Sequence, residues 1–352
     1  MNFNYQENIK VFDIAAKKIR EYVRQINPQI EEYGPISFDT DKVKQMISED
    51  VFSQISNENI QGQDLYVFDQ LLSLYSMLYL IDSMPSKMYY VEGNKSTVVA
   101  SNPNEAMMIA MRADKVLRDF LAYMSSPFPH KINIVTINNV EFMHQLGNAY
   151  YIPGQNVVVG YTYNNQGNST LEKDVLVHEI GHAILDQINP TATRDFHEAF
   201  ADIITFLYEA SNTSQVTDIQ DFRKTNKIST IADNTYVSMS WGIQFARDLA
   251  GDYKYMPDII IDPYSLSLPV SSSFYKTWAD YVEMLKQRGM NPQEALAIAN
   301  DKFKSIAIKA AENTRNIPNA NVKDYAISIL NTIDDPQIRQ IFHNHIKQSG
   351  VL

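Results

Sequence analysis

Two histidines stand four residues apart with a glutamate directly after the first, in His178-Glu179-Ile180-Gly181-His182. Val175, Leu176, Ala183 and Ile184 surround them, so the run reads as a core helix. On an α-helix, residues four apart share a face. The spacing therefore aims two imidazoles at one place. Glu179 projects beside them, where a base for a metal-bound water would stand. The pattern arises by chance in roughly one chain in a hundred of this size and composition. Two incidental histidines on a solvated helix are the alternative, and the apolar flanks speak against it. Gly181 leaves room for another element to pack closely over the pair.

A catalytic zinc takes three protein ligands and keeps one position open. The chain of 352 residues has no cysteine, so thiolate ligands and disulfides are excluded. The third ligand must be His, Asp or Glu. Phe196-His197-Glu198-Ala199-Phe200-Ala201-Asp202 follows within one short interval, apolar and helical in pattern. Carboxylates on the inner face of an apolar helix are costly unless paired or metal-bound. The simplest assignment makes Glu198 the third ligand. Asp202, one turn on, would accept the second ring N–H of a ligand histidine. His197 is the rival ligand.

Around this centre the chain reads as helices, a small mixed sheet, then helices. Ile9, Phe12, Ile19, Val23 and Ile26 predict a helix over 5–26, ended by Asn27-Pro28. A second helical block covers 41–82, and its apolar stretch Leu71–Ile81 is too short to span a bilayer. Residues 86–100 predict two short strands about Glu92-Gly93-Asn94. Asn102-Pro103 predicts the start of a helix running to Met124. Ile132–Val135 and Ala149–Tyr163 read as strands. Helices are predicted over 171–187, 195–209, 236–250, 273–287, 292–312 and 321–348. The formal net charge of −11 argues against nucleic acid or an anionic membrane as partner. The N-terminus lacks the pattern of a secretory signal, so a cytoplasmic product is expected, with export by a non-classical route left open.

His178, Glu179, His182, Glu198 and Asp202 together resemble the thermolysin-like (gluzincin) metallopeptidases. Those carry the same HExxH helix, followed by a helix with a Glu ligand and an Asp four residues on. Asn148-Ala149-Tyr150-Tyr151, 30 residues before His178, is similar to the family's peptide-binding edge strand. The resemblance covers about residues 96–285. It implies an α+β zincin-type catalytic domain with a small mixed sheet, an active-site helix and a helical C-terminal lobe, here with a helical N-terminal extension. The expected organisation is 1–95, an extension of unassigned role; 96–187, the upper lobe with edge strand and HExxH helix; and 188–352, the helical lower lobe with the Glu ligand. The implied function is a zinc-dependent endopeptidase in which Glu179 assists attack of a zinc-bound water on a peptide bond. His178, His182 and Glu198 would be ligands. Asp202 and His197 would support them, and Asn148 and the backbone of Ala149 would contact a peptide or protein substrate. A monomer is expected.

The chain departs from the family in three places. The interval between His182 and Glu198 is shorter than usual, and the family's tyrosine within it has no counterpart in Asn189-Pro190-Thr191-Ala192-Thr193-Arg194. Where the family places a histidine eleven residues before a Tyr in an apolar helix, this chain has Tyr264 before Tyr275. A phenol can donate to an oxyanion as an imidazole does, which makes Tyr264 a catalytic candidate. Asp174 and Glu209, with Asp218 and Asp221 beyond, fall where the family holds structural Ca2+. Surface acids are the plainer reading of these four. His130, His144, His343 and His345 read as surface or packing residues, and Trp241 and Trp278 as core. The competing class is a catalytically weak or inactive zincin-fold protein that acts as a binding module or delivered effector.

Overall fold

The computed structural model describes residues 34–37, 42, 45–46, 48–49, 87–92, 96–100, 103–124, 132–138, 149–152, 157–162, 173–211, 230–231, 247–259 and 263–352. The expected helix over 5–26, the stretch 71–81, Asn148, His130, His144, Asp218, Asp221 and Trp241 lie outside these residues. Of the block 41–82, residues 42, 45, 46, 48 and 49 are helical. The described chain is rich in helix and divides into two compact units, residues 1–118 with 129–171 and residues 119–128 with 172–352.

The first unit carries a six-stranded mixed sheet. Its strands are β1 (Gly34–Ser37), β2 (Lys87–Glu92), β3 (Ser96–Ala100), β4 (Ile132–Asn138), β5 (Tyr150–Ile152) and β6 (Val157–Thr162), in the order β1-β2-β3-β4-β6-β5. β2 and β3 form the expected hairpin, with Tyr89 opposite Ala100 and Glu92 opposite Thr97. The expected boundary at residue 95 falls inside that hairpin. β1, which the sequence reading did not anticipate, contains Pro35 and lies at the sheet's margin. Proline cannot donate to a ladder and is confined to such positions. β3, β4 and β6 run parallel. Strands of a parallel interior run rich in β-branched residues, as INIVTIN and VVVGYT do. β5 pairs antiparallel with β6 and is the other margin of the sheet among the described residues. Helix α1 (Pro103–Met124) starts at Pro103 as predicted. Ala113, Val116 and Leu117, on the part of the helix within this unit, recur at helical spacing and are buried.

The second unit is built of helices α2 (Lys173–Ile188), α3 (Arg194–Ser211), α4 (Pro263–Gln287), α5 (Pro292–Asn313), α6 (Val322–Thr332) and α7 (Pro336–Gln348). A two-stranded ribbon joins β7 (Thr230–Ile231) to β8 (Arg247–Asp248). α3 is its axis, packing against α2, α4, α5 and α6. Every residue from Phe196 to Tyr208 is buried. Phe206 meets Tyr275 and Trp278 edge-on with ring centres 5.4 and 5.6 Å apart. Trp278 is a core residue, as expected, and donates its indole N–H to Asn300 at 2.8 Å. Truncating one such aromatic to alanine typically costs ~3–5 kcal/mol. No described helix is long and apolar enough to cross a membrane.

Three helix expectations are corrected. Arg247 and Asp248, placed at the end of a helix over 236–250, form β8 instead. The Asp248 carboxylate accepts from the Ala250 N–H at 3.0 Å and the chain turns there, with Gly251 N donating to the Asp248 carbonyl at 3.2 Å. α4 begins at Pro263 rather than 273, and runs through Pro269. Its hydroxyl residues bond back along the helix, Ser273 to the Pro269 carbonyl and Thr277 to that of Ser273, so the polar run stays inside it. The predicted single helix over 321–348 is two. Asp335 caps α7, and Pro336 occupies its first turn, where the missing N–H costs nothing.

Candidate metal centre

α2 carries His178, Glu179 and His182, all buried. At Gly181, α3 comes close. A Cβ there would stand 2.9 Å from the Ala201 Cα, so only glycine permits this approach. The link from α2 to α3 is residues 189–193, fixed by Asn189, which donates to the carbonyl and hydroxyl of Thr314 at 3.0 and 3.1 Å. The Thr193 carbonyl accepts the His197 N–H at 3.0 Å and opens α3. This tight connection accounts for the short interval between His182 and Glu198.

Donor atoms of three side chains converge where the helices meet. His178 Nε2 lies 3.1 Å from His182 Nε2 and 3.2 Å from Glu198 Oε2, and His182 Nε2 lies 3.7 Å from Glu198 Oε1. Donors at zinc–ligand distances on a tetrahedron stand about 3.3 Å from one another. The observed edges bracket that value. Among the described residues this is the one group of three such side chains within mutual reach. Two imidazole nitrogens and one carboxylate, all buried, suit a borderline divalent ion such as zinc, which would displace the proton that His178 carries without it. The residues present therefore fit the group.

Behind the cluster, His178 Nδ1 stands 3.0 Å from Asp202 Oδ1. The contact is an ion pair, bent away from a well-directed hydrogen bond. A carboxylate there favours the tautomer that presents the Nε2 lone pair to the cluster. Burial and the Arg247 charge oppose protonation of His178, but Asp202 and Glu198 outweigh them and hold its pKa up at about 9. Burial pushes His182 well below its usual value despite the Glu198 charge. Burial also works against an ionised Glu198, yet His182, His178 and Arg247 win and hold it well below the carboxylate range. Glu198 is thus an anion, the form a ligand needs.

His197 does not join the three. Its ring centre lies 5.7 Å from that of His182, and burial lowers its pKa to about 4. Tyr264, at the start of α4, is brought to the centre, its phenol held well above the usual tyrosine range by burial and by the charge of Glu198. Ala149 is buried immediately before β5. Glu209 lies in α3 and the backbone of Asp174 in α2. His345 meets Asp280 at 2.8 Å, half-exposed, as a packing pair.

Two arginines were not singled out in the sequence. Arg194 Nε reaches Glu198 Oε1 at 3.4 Å and its Nη2 donates to the Tyr264 hydroxyl at 2.8 Å. Arg247 Nη1 lies 3.2 Å from Glu198 Oε2, and its Nη2 lies 3.2 Å from Asp202 Oδ1 and 3.4 Å from His178 Nε2. Both guanidiniums stand 5.1 Å from the centre of the Tyr264 ring. Arg194 had a legible signal, its place four residues before Glu198. Arg247 had none, since only the tertiary fold carries β8 to α3. No protein-family model matches this chain, and no curated protein is similar to it in sequence.

Proposed function

We propose that this protein is a zinc-dependent peptidase of the zincin type. The observation that carries the reading is the convergence of His178, His182 and Glu198, with Asp202 behind His178 and Glu179 on the same helix turn. A bound zinc supplies a Lewis acid that polarises a carbonyl and acidifies water. The chain's own residues do the rest. Glu179 accepts the proton of the attacking water and passes it to the leaving amine. Asp202 holds His178 in orientation. Tyr264 donates its hydroxyl to the oxygen that gains charge as the carbonyl is attacked.

The test is Glu179→Gln in the full chain, with casein as substrate and metal content measured alongside. The variant keeps its zinc, and cleavage falls by ~10²–10⁴-fold, the usual contribution of a general base. Cleavage at the wild-type rate would sink the reading. Wild-type protein with one zinc per chain and no cleavage would replace it with the binding-module reading.

A further inference from the structure

Resting on that peptidase reading, we infer that Arg194 is a positioning residue that makes the Tyr264 hydroxyl the oxyanion donor of this enzyme. Arg194 is the first residue of α3, one turn before the ligand Glu198. Its side chain spans the two groups, with Nε on Glu198 Oε1 at 3.4 Å and Nη2 on the Tyr264 oxygen at 2.8 Å. A phenol oxygen that accepts from a guanidinium cannot also be given a proton along that line. Its own single proton is left to point elsewhere. Among the described residues, that hydroxyl has no other hydrogen-bond partner.

A fixed cation on the acceptor side withdraws charge from the phenol oxygen and strengthens its O–H as a donor. The anchoring is firm at both ends. Arg194 and Arg247 both lie over the Tyr264 ring, and the Tyr264 carbonyl accepts from the Ser267 hydroxyl at 2.8 Å. Arg247 meets Glu198 through the other oxygen, so the ligand carboxylate, Tyr264 and both arginines form one connected unit. In this arrangement Arg194 supplies through Tyr264 what a positively charged imidazole would supply directly.

The experiment uses the zinc-loaded full chain and a casein peptide that it cleaves. Variants are Arg194→Met, Arg194→Lys, Tyr264→Phe and the double Arg194→Met/Tyr264→Phe. Arg194→Met and Tyr264→Phe each lower kcat by ~10–100-fold, with KM changed less than ~3-fold. Because the two act as one unit, the double variant is no slower than the slower single. Arg194→Lys, which keeps the charge but not the fork, recovers part of the loss.

A second readout is binding of the phosphinic analogue of the same peptide, which carries a tetrahedral oxyanion at the cleaved bond. Its affinity falls by ~10-fold in both single variants, while zinc retention against a chelator stays within ~3-fold of wild type. Multiplying defects in the double variant, unchanged phosphinate affinity, or an Arg194→Met defect that is wholly lost zinc each overturn the assignment. An inactive Glu179→Gln beside a fully active Arg194→Met removes Arg194 alone. A fully active Glu179→Gln removes the peptidase reading beneath it.

Discussion

Asp202 shows how much one side chain carries at this centre. It faces His178 and Arg247 at once, at 3.0 and 3.2 Å, with no exposure to solvent. Asp202→Asn keeps the shape and removes the charge. The zinc dissociation constant should rise by ~10–100-fold, the usual effect of losing such a partner, and chelator competition measures it. An unchanged constant would show that the imidazole is oriented by packing alone. Asp202→Ala is harsher, since it leaves Arg247 buried with part of its counter-charge gone. Unfolding stability should fall by ~3–5 kcal/mol in denaturant titration. His178, Glu179, His182, Glu198 and Asp202 were legible in the sequence because each half of the geometry is local: His178 and His182 stand one helical turn apart with Glu179 beside the first, and Glu198 and Asp202 stand one turn apart. Arg247 was not, because nothing near it in the chain marks the partner it finds 49 residues back.

α2 and α3 form the frame of the centre, and their separation is set at Gly181. A methyl group there would meet the Ala201 Cα at 2.9 Å and its Cβ at 3.2 Å, and backbone cannot turn aside as a side chain can. Gly181→Ala should cost ~1–3 kcal/mol. It should also weaken zinc binding, because the histidines and Glu198 ride on the two helices being pushed apart. Thermal unfolding with and without chelator separates the two effects. The elements themselves were readable where no proline or serine run interrupted the helical pattern, as for α2, α3 and α5. They were misread where a turn residue outweighed the apolar stripe. Asp248 and Gly251 reverse the chain where a helix was expected, and the Ser271-Ser272-Ser273 run beside Pro269 looked like a helix start although it lies well inside α4.

The unit that holds the candidate metal centre is discontinuous in the chain, taking residues 119–128 as well as 172–352. The early piece contributes Phe120 and Tyr123, whose rings meet Tyr208 at 5.2 and 5.9 Å. Lys304 reaches the same place, with its ammonium 4.4 Å from the Tyr123 ring centre. A fragment of residues 172–352 should therefore be less stable than the same unit in the full chain by at least ~3 kcal/mol, the cost of removing one buried aromatic. Calorimetry of the fragment and the full chain compares them, and equal stability would show that the early piece is dispensable. The discontinuity also sets a clock on synthesis. Phe120, fully buried in the finished protein, leaves the ribosome about 90 residues before Tyr208, which at 5–20 residues per second is roughly 4–18 s. For that interval the nascent chain displays an apolar helix end that has no native surface to join, and a holding chaperone has a natural place to sit.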